Sequence, residues 1–203
     1  MKLFYSVASP FARKVLIVAN EVGLVDQINV IPAAASPVGQ DKTIAVHNPS
    51  GKIPTLITAD GEAIYDSRVI CEYLDSMAGG AKTFPKGSGR WKALVLQSLC
   101  DEALDAALLA RYEGFLRPEQ LRWPEWRVGQ LKKIDLSLES LENDWIHYLA
   151  GHVDIGVIAA GCLLGYLDFR FPELEWRASK PKLSAWYEGF SRRPSMAKTA
   201  PDA

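Results

Sequence analysis

The sequence lacks the features that would carry a chain into or across a membrane. None of its apolar runs approaches the roughly 20 residues that a membrane-spanning helix needs. The first residues, Met1 to Tyr5, have neither the long apolar stretch nor the small-residue cleavage site of a secretory signal. These absences predict a cytoplasmic protein.

Strong net charge and paired cysteines are lacking as well. The formal net charge is −1, which gives no indication of binding to nucleic acid or to an anionic membrane surface. The cysteines and histidines have no C-x-x-C or other ligand spacing, so neither a disulfide framework nor a metal site is expected. Each cysteine falls in an apolar helical pattern and is interpreted as a buried, inert thiol. These residues are Cys71, Cys100, Cys162, His47, His147 and His152.

What is present is an ordinary globular composition, with 48% hydrophobic and 23% charged residues in a chain of 203. A chain of this length can form one large domain or two small ones. Small residues and glycine dominate positions 77–89, which indicates a linker. We therefore predict an N-terminal domain over 1–78, a linker over 79–89 and a second domain over 90–203.

The first 78 residues alternate between strand and helix patterns in the order βαβαββα, which predicts a small α/β domain. Asp60-Gly61 between two apolar runs indicates a hairpin. The predicted strands cover 2–5, 27–31, 55–58 and 62–65, and the predicted helices begin at Pro10, near Asp41 and near Asp66.

No strand pattern occurs after the linker, so the second domain is predicted to be all-helical. All six tryptophans lie in this half, which is consistent with a large helical core. The predicted helices are Trp91–Glu113, Glu125–Leu149, Val153–Phe169 and Lys182–Ser191.

Three short segments of the first domain carry candidate chemistry. Ser9-Pro10-Phe11 begins a helix. A redox domain with the same α/β order would hold a C-x-x-C motif at this helix start. Ser9 is a helix cap in the simplest interpretation, and its hydroxyl can also donate a hydrogen bond to a sulfur that a ligand supplies. The N-terminal end of a helix favours an anion there.

The second segment is Ile53-Pro54, which precedes a predicted strand. A cis bond at Pro54 would turn the polar backbone groups of Ile53 outward to pair with a peptide ligand, and the sequence leaves cis and trans open. The third segment is Asp66-Ser67 at a helix start. It caps the helix, and it can also hold the ammonium and carboxylate groups of a ligand.

Taken together, these three segments and their spacing resemble the soluble glutathione transferase family, and in particular bacterial members with Ser-Pro-Phe at the first helix. The second half resembles it too, at Gly151-His152-Val153-Asp154-Ile155 and at Pro181 to Trp186 followed by Arg192 to Ser195. The resemblance implies a thioredoxin-like domain that binds glutathione, a helical domain with a second-substrate pocket, and a homodimer.

The resemblance also implies roles for particular residues. Ser9 would be the catalytic residue that holds the glutathione sulfur, with Tyr5 as the alternative. Ile53 before cis-Pro54 would pair with the cysteinyl backbone, Asp66 and Ser67 would hold the γ-glutamyl end, and Lys52 or His47 the glycyl carboxylate. Phe11 is assigned to the glutathione site. Together with Arg111 and Tyr112 it is also assigned to the second-substrate pocket.

The implied function is detoxification as a transferase: glutathione conjugates with a small hydrophobic electrophile or reduces an organic hydroperoxide. Isomerase and dehalogenase activities stay open at this point. The alternative is a binding or stress-response protein that keeps the fold without catalysis. One departure concerns Gly151, which stands where the family commonly has a capping Ser or Thr, so that only Asp154 of that capping box remains.

Overall fold

The computed structural model describes residues 1–201, which pack into two units. The first unit combines Met1–Ala93 with the chain from Arg193 onward. The second unit is Leu94–Arg192. The first unit is therefore built from two separate stretches of the sequence.

The first unit contains a four-stranded mixed sheet in the order β2-β1-β3-β4. Strand β1 pairs in parallel with β2, and Leu3 lies opposite Val30. On its other side β1 pairs antiparallel with β3, which in turn pairs antiparallel with β4. The strands are β1 Lys2–Tyr5, β2 Asn29–Pro32, β3 Thr55–Ile57 and β4 Ala63–Ile64.

Helix α1, Pro10–Val22, packs against α3, Ser67–Met77. The ends of α1 follow from local chemistry, since Ser9 caps its start and Gly23 ends it in the left-handed conformation at φ 80°. The other helices of this unit are α2 Lys42–Ala45, the start of α4 Ser88–Phe115, α10 Pro194–Ala197 and a short 3-10 helix at Val25–Gln27.

All the strands and helices assigned in the second unit are helices, with α7 at its centre. Every residue of α7 from Ile155 to Leu167 is buried, as expected for a helix that is apolar on all sides. The helices after α4 are α5 Pro124–Asn143, α6 Ile146–Leu149, α7 Ile155–Arg170, α8 Trp176–Ser179 and α9 Pro181–Ser191, with 3-10 helices at Glu119–Leu121 and Pro172–Leu174.

The predicted fold class is confirmed, with an α/β sheet domain followed by helices. Strand β2 begins at Asn29 rather than Gln27, because Gln27 belongs to a 3-10 turn that the Ile28 N–H closes on Val25. All three cysteines are buried, as predicted.

Three details of the predicted helical half were wrong. The helix over 125–149 is two helices, since the N–H groups of Asp144 and Trp145 both turn back to the Ser140 carbonyl. Gly151 does not stand at the cap of α7, because Asp154 caps that helix and Gly151 lies three residues earlier. The tryptophans are mostly outside the core, because Trp91, Trp123 and Trp126 are exposed while only Trp176 is buried.

Within residues 1–201, no single helix is long and apolar enough to cross a membrane, although α7 with the segment after it reaches the required length as a pair bent by 99°. Over the same residues, no group of three or more His, Cys, Asp or Glu side chains is arranged to hold a metal ion.

Candidate functional site

The sheet topology brings the three candidate segments of the first unit to one edge. Phe4, next to the end of β1, lies opposite Thr55, the first residue of β3. Ile64, the last residue of β4, lies opposite Leu56 near the same end of β3. The loop after β1, the loop before β3 and the turn after β4 therefore leave the sheet side by side.

Ser9 is half-buried at the start of α1, and its hydroxyl oxygen accepts a hydrogen bond from the Ala12 N–H at 3.2 Å. That bond uses the oxygen as an acceptor and leaves the O–H of Ser9 available as a donor. Pro10 has no N–H, so the first turn keeps one N–H, that of Phe11, for which the helix itself supplies no acceptor. This helix start therefore offers two donors to an anion.

A buried asparagine fixes the loop before β3. The amide nitrogen of Asn48 donates to the Lys52 carbonyl at 3.2 Å and to the Thr55 hydroxyl at 3.0 Å. Its amide oxygen accepts from the backbone and the hydroxyl of Ser50 at 3.0 and 2.7 Å. Because the Asn48 side chain forms hydrogen bonds along the whole of this loop, the backbone of Ile53 has a defined position.

The Ile53–Pro54 peptide is cis, which the sequence left open. Pro54 is buried, whereas Ile53 is half-buried. Lys52, just before them, is exposed. The backbone of Ile53 thus lies between a fixed loop and the first strand residue, Thr55.

Asp66 caps α3, and one of its carboxylate oxygens accepts from the Arg68 N–H at 2.9 Å. The side chain is exposed, so its second oxygen remains accessible. Ser67 is buried in the first turn of the same helix, at 3% exposure. The pair combines a carboxylate and a helix N-terminus, which can hold an ammonium and a carboxylate group.

The remaining candidates of the first unit lie at different places. Tyr5 is the last residue of β1 and half-buried. His47 is exposed, and its ring lies 5.7 Å from that of Phe4. Phe11 is half-buried in α1, with the Lys14 ammonium 5.8 Å from its ring centroid.

Arg111 and Tyr112 lie on α4 in the second unit, and both are half-buried. The Arg111 guanidinium stacks on Phe115, with 4.9 Å from its central carbon to the ring centroid. Burial raises the pKa of the Tyr112 hydroxyl, and the positive charge of Arg111 partly opposes this. At neutral pH Tyr112 therefore keeps its proton.

Sequence reasoning gave no role to Asn48, although the run Asn48-Pro49-Ser50-Gly51 has the composition of a side-chain-stabilised turn. It also missed Tyr166 and Arg170 on α7, which interact electrostatically with Arg111. No spacing rule links residues so far apart in the chain.

Comparisons with known proteins show which family this chain resembles. The family model described as glutathione S-transferase, N-terminal domain, matches residues 8–77. The uncharacterized GST-like protein YibF of Escherichia coli (strain K12) is 33% identical over 205 residues, which cover 99% of this chain and 98% of that protein.

Two crystal structures of a glutathione transferase family member from Pseudomonas fluorescens Pf-5 are also similar. One, with bound glutathione, is 44% identical with a TM-score of 0.97, and the match covers 100% of this chain and 99% of that chain. The other, with bound S-(propanoic acid)-glutathione, is 44% identical with a TM-score of 0.92 and full coverage of both chains.

Proposed function

This chain belongs to the glutathione transferase family, and we propose that it binds glutathione as the thiolate and transfers it to a small hydrophobic electrophile. The observation that carries the proposal is the state of Ser9, whose oxygen caps α1 while its O–H stays available to a ligand sulfur. Relatives of this chain that were crystallised with glutathione support the choice of ligand.

The proposed role of Ser9 follows from the charge at the start of α1. A thiolate there accepts a hydrogen bond from the Ser9 O–H and lies at the positive end of a 13-residue helix. Both interactions favour the anion over the thiol, whose ordinary pKa is about 8.5, so they lower the pKa of the bound sulfur. We assign this role to Ser9 rather than Tyr5, because Ser9 is at the helix start and Tyr5 is at the end of β1.

The rest of glutathione is assigned to the same sheet edge. The backbone of Ile53, before cis-Pro54, pairs with the cysteinyl backbone of the ligand. Asp66 accepts from the γ-glutamyl ammonium group, and Ser67 with the α3 N-terminus holds its carboxylate. Lys52 is assigned to the glycyl carboxylate because its ammonium is exposed beside this edge.

In the proposed reaction the thiol proton leaves to solvent as glutathione binds. The sulfur lone pair then forms a bond to an electron-poor carbon of the second substrate, and the displaced group leaves with its bonding electrons. Ser9 stabilises the sulfur anion before attack and takes no proton itself. Phe11, Arg111 and Tyr112 are proposed to contact the second substrate.

The test uses three substitutions that separate the two functions of Ser9. Ser9→Thr keeps the cap and the O–H, whereas Ser9→Asp keeps the cap but places a negative charge beside the sulfur. Ser9→Ala loses both, with about 1 kcal/mol of stability from the cap. The measurements are glutathione binding by calorimetry, the thiolate absorbance of bound glutathione against pH, and turnover of an aromatic halide.

We expect Ser9→Thr to keep most of the activity, and Ser9→Ala and Ser9→Asp to raise the pKa of the bound thiol and to lose turnover by about tenfold or more. Full activity in Ser9→Ala would show that another group, such as Tyr5, holds the thiolate. No binding of glutathione at millimolar concentration would contradict the proposed function itself.

A further inference from the structure

Four side chains of the second unit, two arginines and two tyrosines, form a cluster that the proposed glutathione contacts do not use. We call Arg111, Tyr112, Tyr166 and Arg170 the Arg–Tyr cluster. Arg111 and Tyr112 come from α4, and Tyr166 and Arg170 are one turn apart on the same face of α7. Arg111, Tyr112 and Arg170 all act electrostatically on Tyr166, and Arg111 acts on Arg170, an effect that weakens with distance.

Both guanidinium groups are held by aromatic rings. The central carbon of Arg170 lies 3.7 Å from the Phe169 ring centroid, and that of Arg111 lies 4.9 Å from the Phe115 ring centroid. Stacking occupies the flat faces of a guanidinium and leaves the N–H groups at its edge for a ligand. The rings also limit the movement of both arginines.

Among residues 1–201, no carboxylate forms an ion pair with either positive charge of the cluster. Burial lowers the pKa of Arg170, and the charge of Arg111 lowers it further. No Asp or Glu contributes to the pKa shifts of Arg170, Tyr166 or Tyr112. Among the described residues, the Nε atom of Arg170 is buried and has no hydrogen-bond partner.

The acidic residues nearest along the two helices have other partners. Glu113 on α4 accepts from Arg117 and from the Trp123 N–H, each at 2.7 Å. Asp168 on α7 accepts from the Trp176 ring at 2.9 Å and from Arg177 at 2.6 Å. An external anion is therefore the group that this cluster is suited to bind.

The tyrosines add neutral donors to the two positive charges. Burial raises the pKa of Tyr166 to about 12, and Tyr112 is shifted in the same direction. Both hydroxyls are therefore protonated at neutral pH and can donate to an anion. Arg111, Tyr112 and Arg170 are only half-buried, so solvent can reach the cluster.

We infer that the Arg–Tyr cluster binds a carboxylate of the second substrate, so that the preferred electrophiles are small aromatic or aliphatic molecules that carry an acidic group. The inference rests on the proposed function for its assignment to the second substrate. A carboxylate fits because arginine N–H groups bind its two oxygens in one plane and the tyrosines supply further donors.

The first experiment compares meta-nitrobenzoate with meta-nitrobenzamide, which have the same ring but differ in charge. Binding of each to the protein is titrated by calorimetry, and glutathione is titrated separately. We expect the acid to bind about tenfold more tightly than the amide, as for charge-assisted hydrogen bonds. Arg111→Gln and Arg170→Gln each remove most of this preference and leave glutathione binding unchanged.

The matched control is Arg192→Gln, which removes the same charge from an exposed arginine of the second unit that pairs with Glu188. It should keep the preference for the acid. A second experiment uses chloronitrobenzoate and chloronitrobenzamide as electrophiles. There, Arg170→Gln should raise the KM of the acid about tenfold, with kcat and the KM of the amide little changed. Circular dichroism of each variant shows that it is folded.

The outcomes separate the two proposals. Equal binding of acid and amide by the unmodified protein, together with normal glutathione binding, overturns the inference and leaves the proposed function standing. A preference for the acid that survives both Arg111→Gln and Arg170→Gln also overturns it. If the acid is preferred but glutathione does not bind, the proposed function fails, and the assignment of the cluster to a second substrate fails with it.

Discussion

Ser9 and Asp66 both combine the capping of a helix with a polar group that a ligand can use. In each, one side-chain oxygen accepts a hydrogen bond from a backbone N–H of its own helix, at 3.2 Å for Ser9 and 2.9 Å for Asp66. The helix fixes the side chain, and the remaining polar group, which is the O–H of Ser9 or the second carboxylate oxygen of Asp66, is available to a ligand. A substitution at either position therefore affects stability and binding together, unless the replacement keeps the cap.

Asp66→Asn is expected to separate these effects. Asparagine caps as well as aspartate, so the free energy of unfolding should change by less than about 0.5 kcal/mol. Glutathione affinity should fall by about tenfold, because the γ-glutamyl ammonium loses its charged acceptor. Denaturant unfolding and calorimetry measure the two quantities.

Asp41→Asn is the matched control, since Asp41 caps α2 in the same way with a bond from the Thr43 N–H at 2.8 Å. It should leave glutathione affinity unchanged. Equal affinity in Asp66→Asn and the unmodified protein would remove Asp66 from the proposed site.

The sequence was informative for these residues because a cap depends on neighbours within three positions. It predicted Ser9 and Asp66 as helix starts, and the structure has both as caps. Asn48 could be recognised only as part of a turn, since its bond to Thr55 depends on how the loop folds. Arg170 and Tyr166 could not be linked to Arg111, because they lie on a different helix much later in the chain.

At the scale of elements, the start of α7 depends on one buried carboxylate. Asp154 is 2% exposed and accepts from the N–H groups of Gly156 and Val157 at 2.9 and 3.1 Å. The hydroxyl of Tyr148 donates to it as well, at 2.5 Å. Since α7 is the central helix of its unit, this cap supports the whole helical core.

Asp154→Ala is expected to lower the free energy of unfolding by about 2–3 kcal/mol, because it leaves backbone N–H groups and the Tyr148 hydroxyl unpaired. Tyr148→Phe removes only one bond and should cost about 1 kcal/mol. Urea unfolding of both variants measures the difference. Equal losses would show that the backbone bonds of Asp154 contribute little.

A second element, the segment around α10, is attached to α1 through Glu21. Arg193 donates two hydrogen bonds to Glu21, each at 2.7 Å, and Ser195 donates a third. The bond from Arg193 is the main reason that the pKa of Glu21 lies below its ordinary value of 4.5. Arg13 donates to the Met196 carbonyl at 3.1 Å and adds to the attachment.

The sign of the pH effect follows from the lowered pKa. The contribution of Glu21 is fully present above the ordinary value of 4.5 and is lost as pH falls through the lower pKa of the folded state. Glu21→Gln should therefore cost about 1–2 kcal/mol at pH 7 and show a weaker loss of stability in acid. Thermal unfolding between pH 7 and pH 3 measures both.

Glu188→Gln is the control for this substitution, because Glu188 and its partner Arg192 are 70% and 71% exposed. An exposed pair of this kind contributes at most about 0.5 kcal/mol. If both variants lose the same stability, the attachment through Glu21 is no stronger than a surface ion pair.

The sequence predicted the boundaries of helices correctly where a particular side chain marks them. It failed where backbone hydrogen bonds alone set the boundary. Pro10 and Asp66 marked helix starts correctly. The break after Asn143 has no Pro or Gly to signal it, since it arises from the backbone turning back to Ser140.

At the scale of the molecule, we predict a homodimer in solution. The family resemblance implies it, and large apolar side chains at the surface are in line with it: Trp91 is 68% exposed and Val69 is 53% exposed in the first unit. Sedimentation should give a mass of about two 22.4-kDa chains. A single-chain mass at micromolar concentration would contradict the prediction.

The return of the chain from Arg193 onward to the first unit has a consequence for biosynthesis. The ribosome completes Met1–Ala93 first, then makes the entire helical unit, and only afterwards the residues that donate to Glu21 and accept from Arg13. Domains usually fold as soon as their sequence has emerged. Here the surface of α1 that α10 covers stays exposed until about a hundred further residues have been translated.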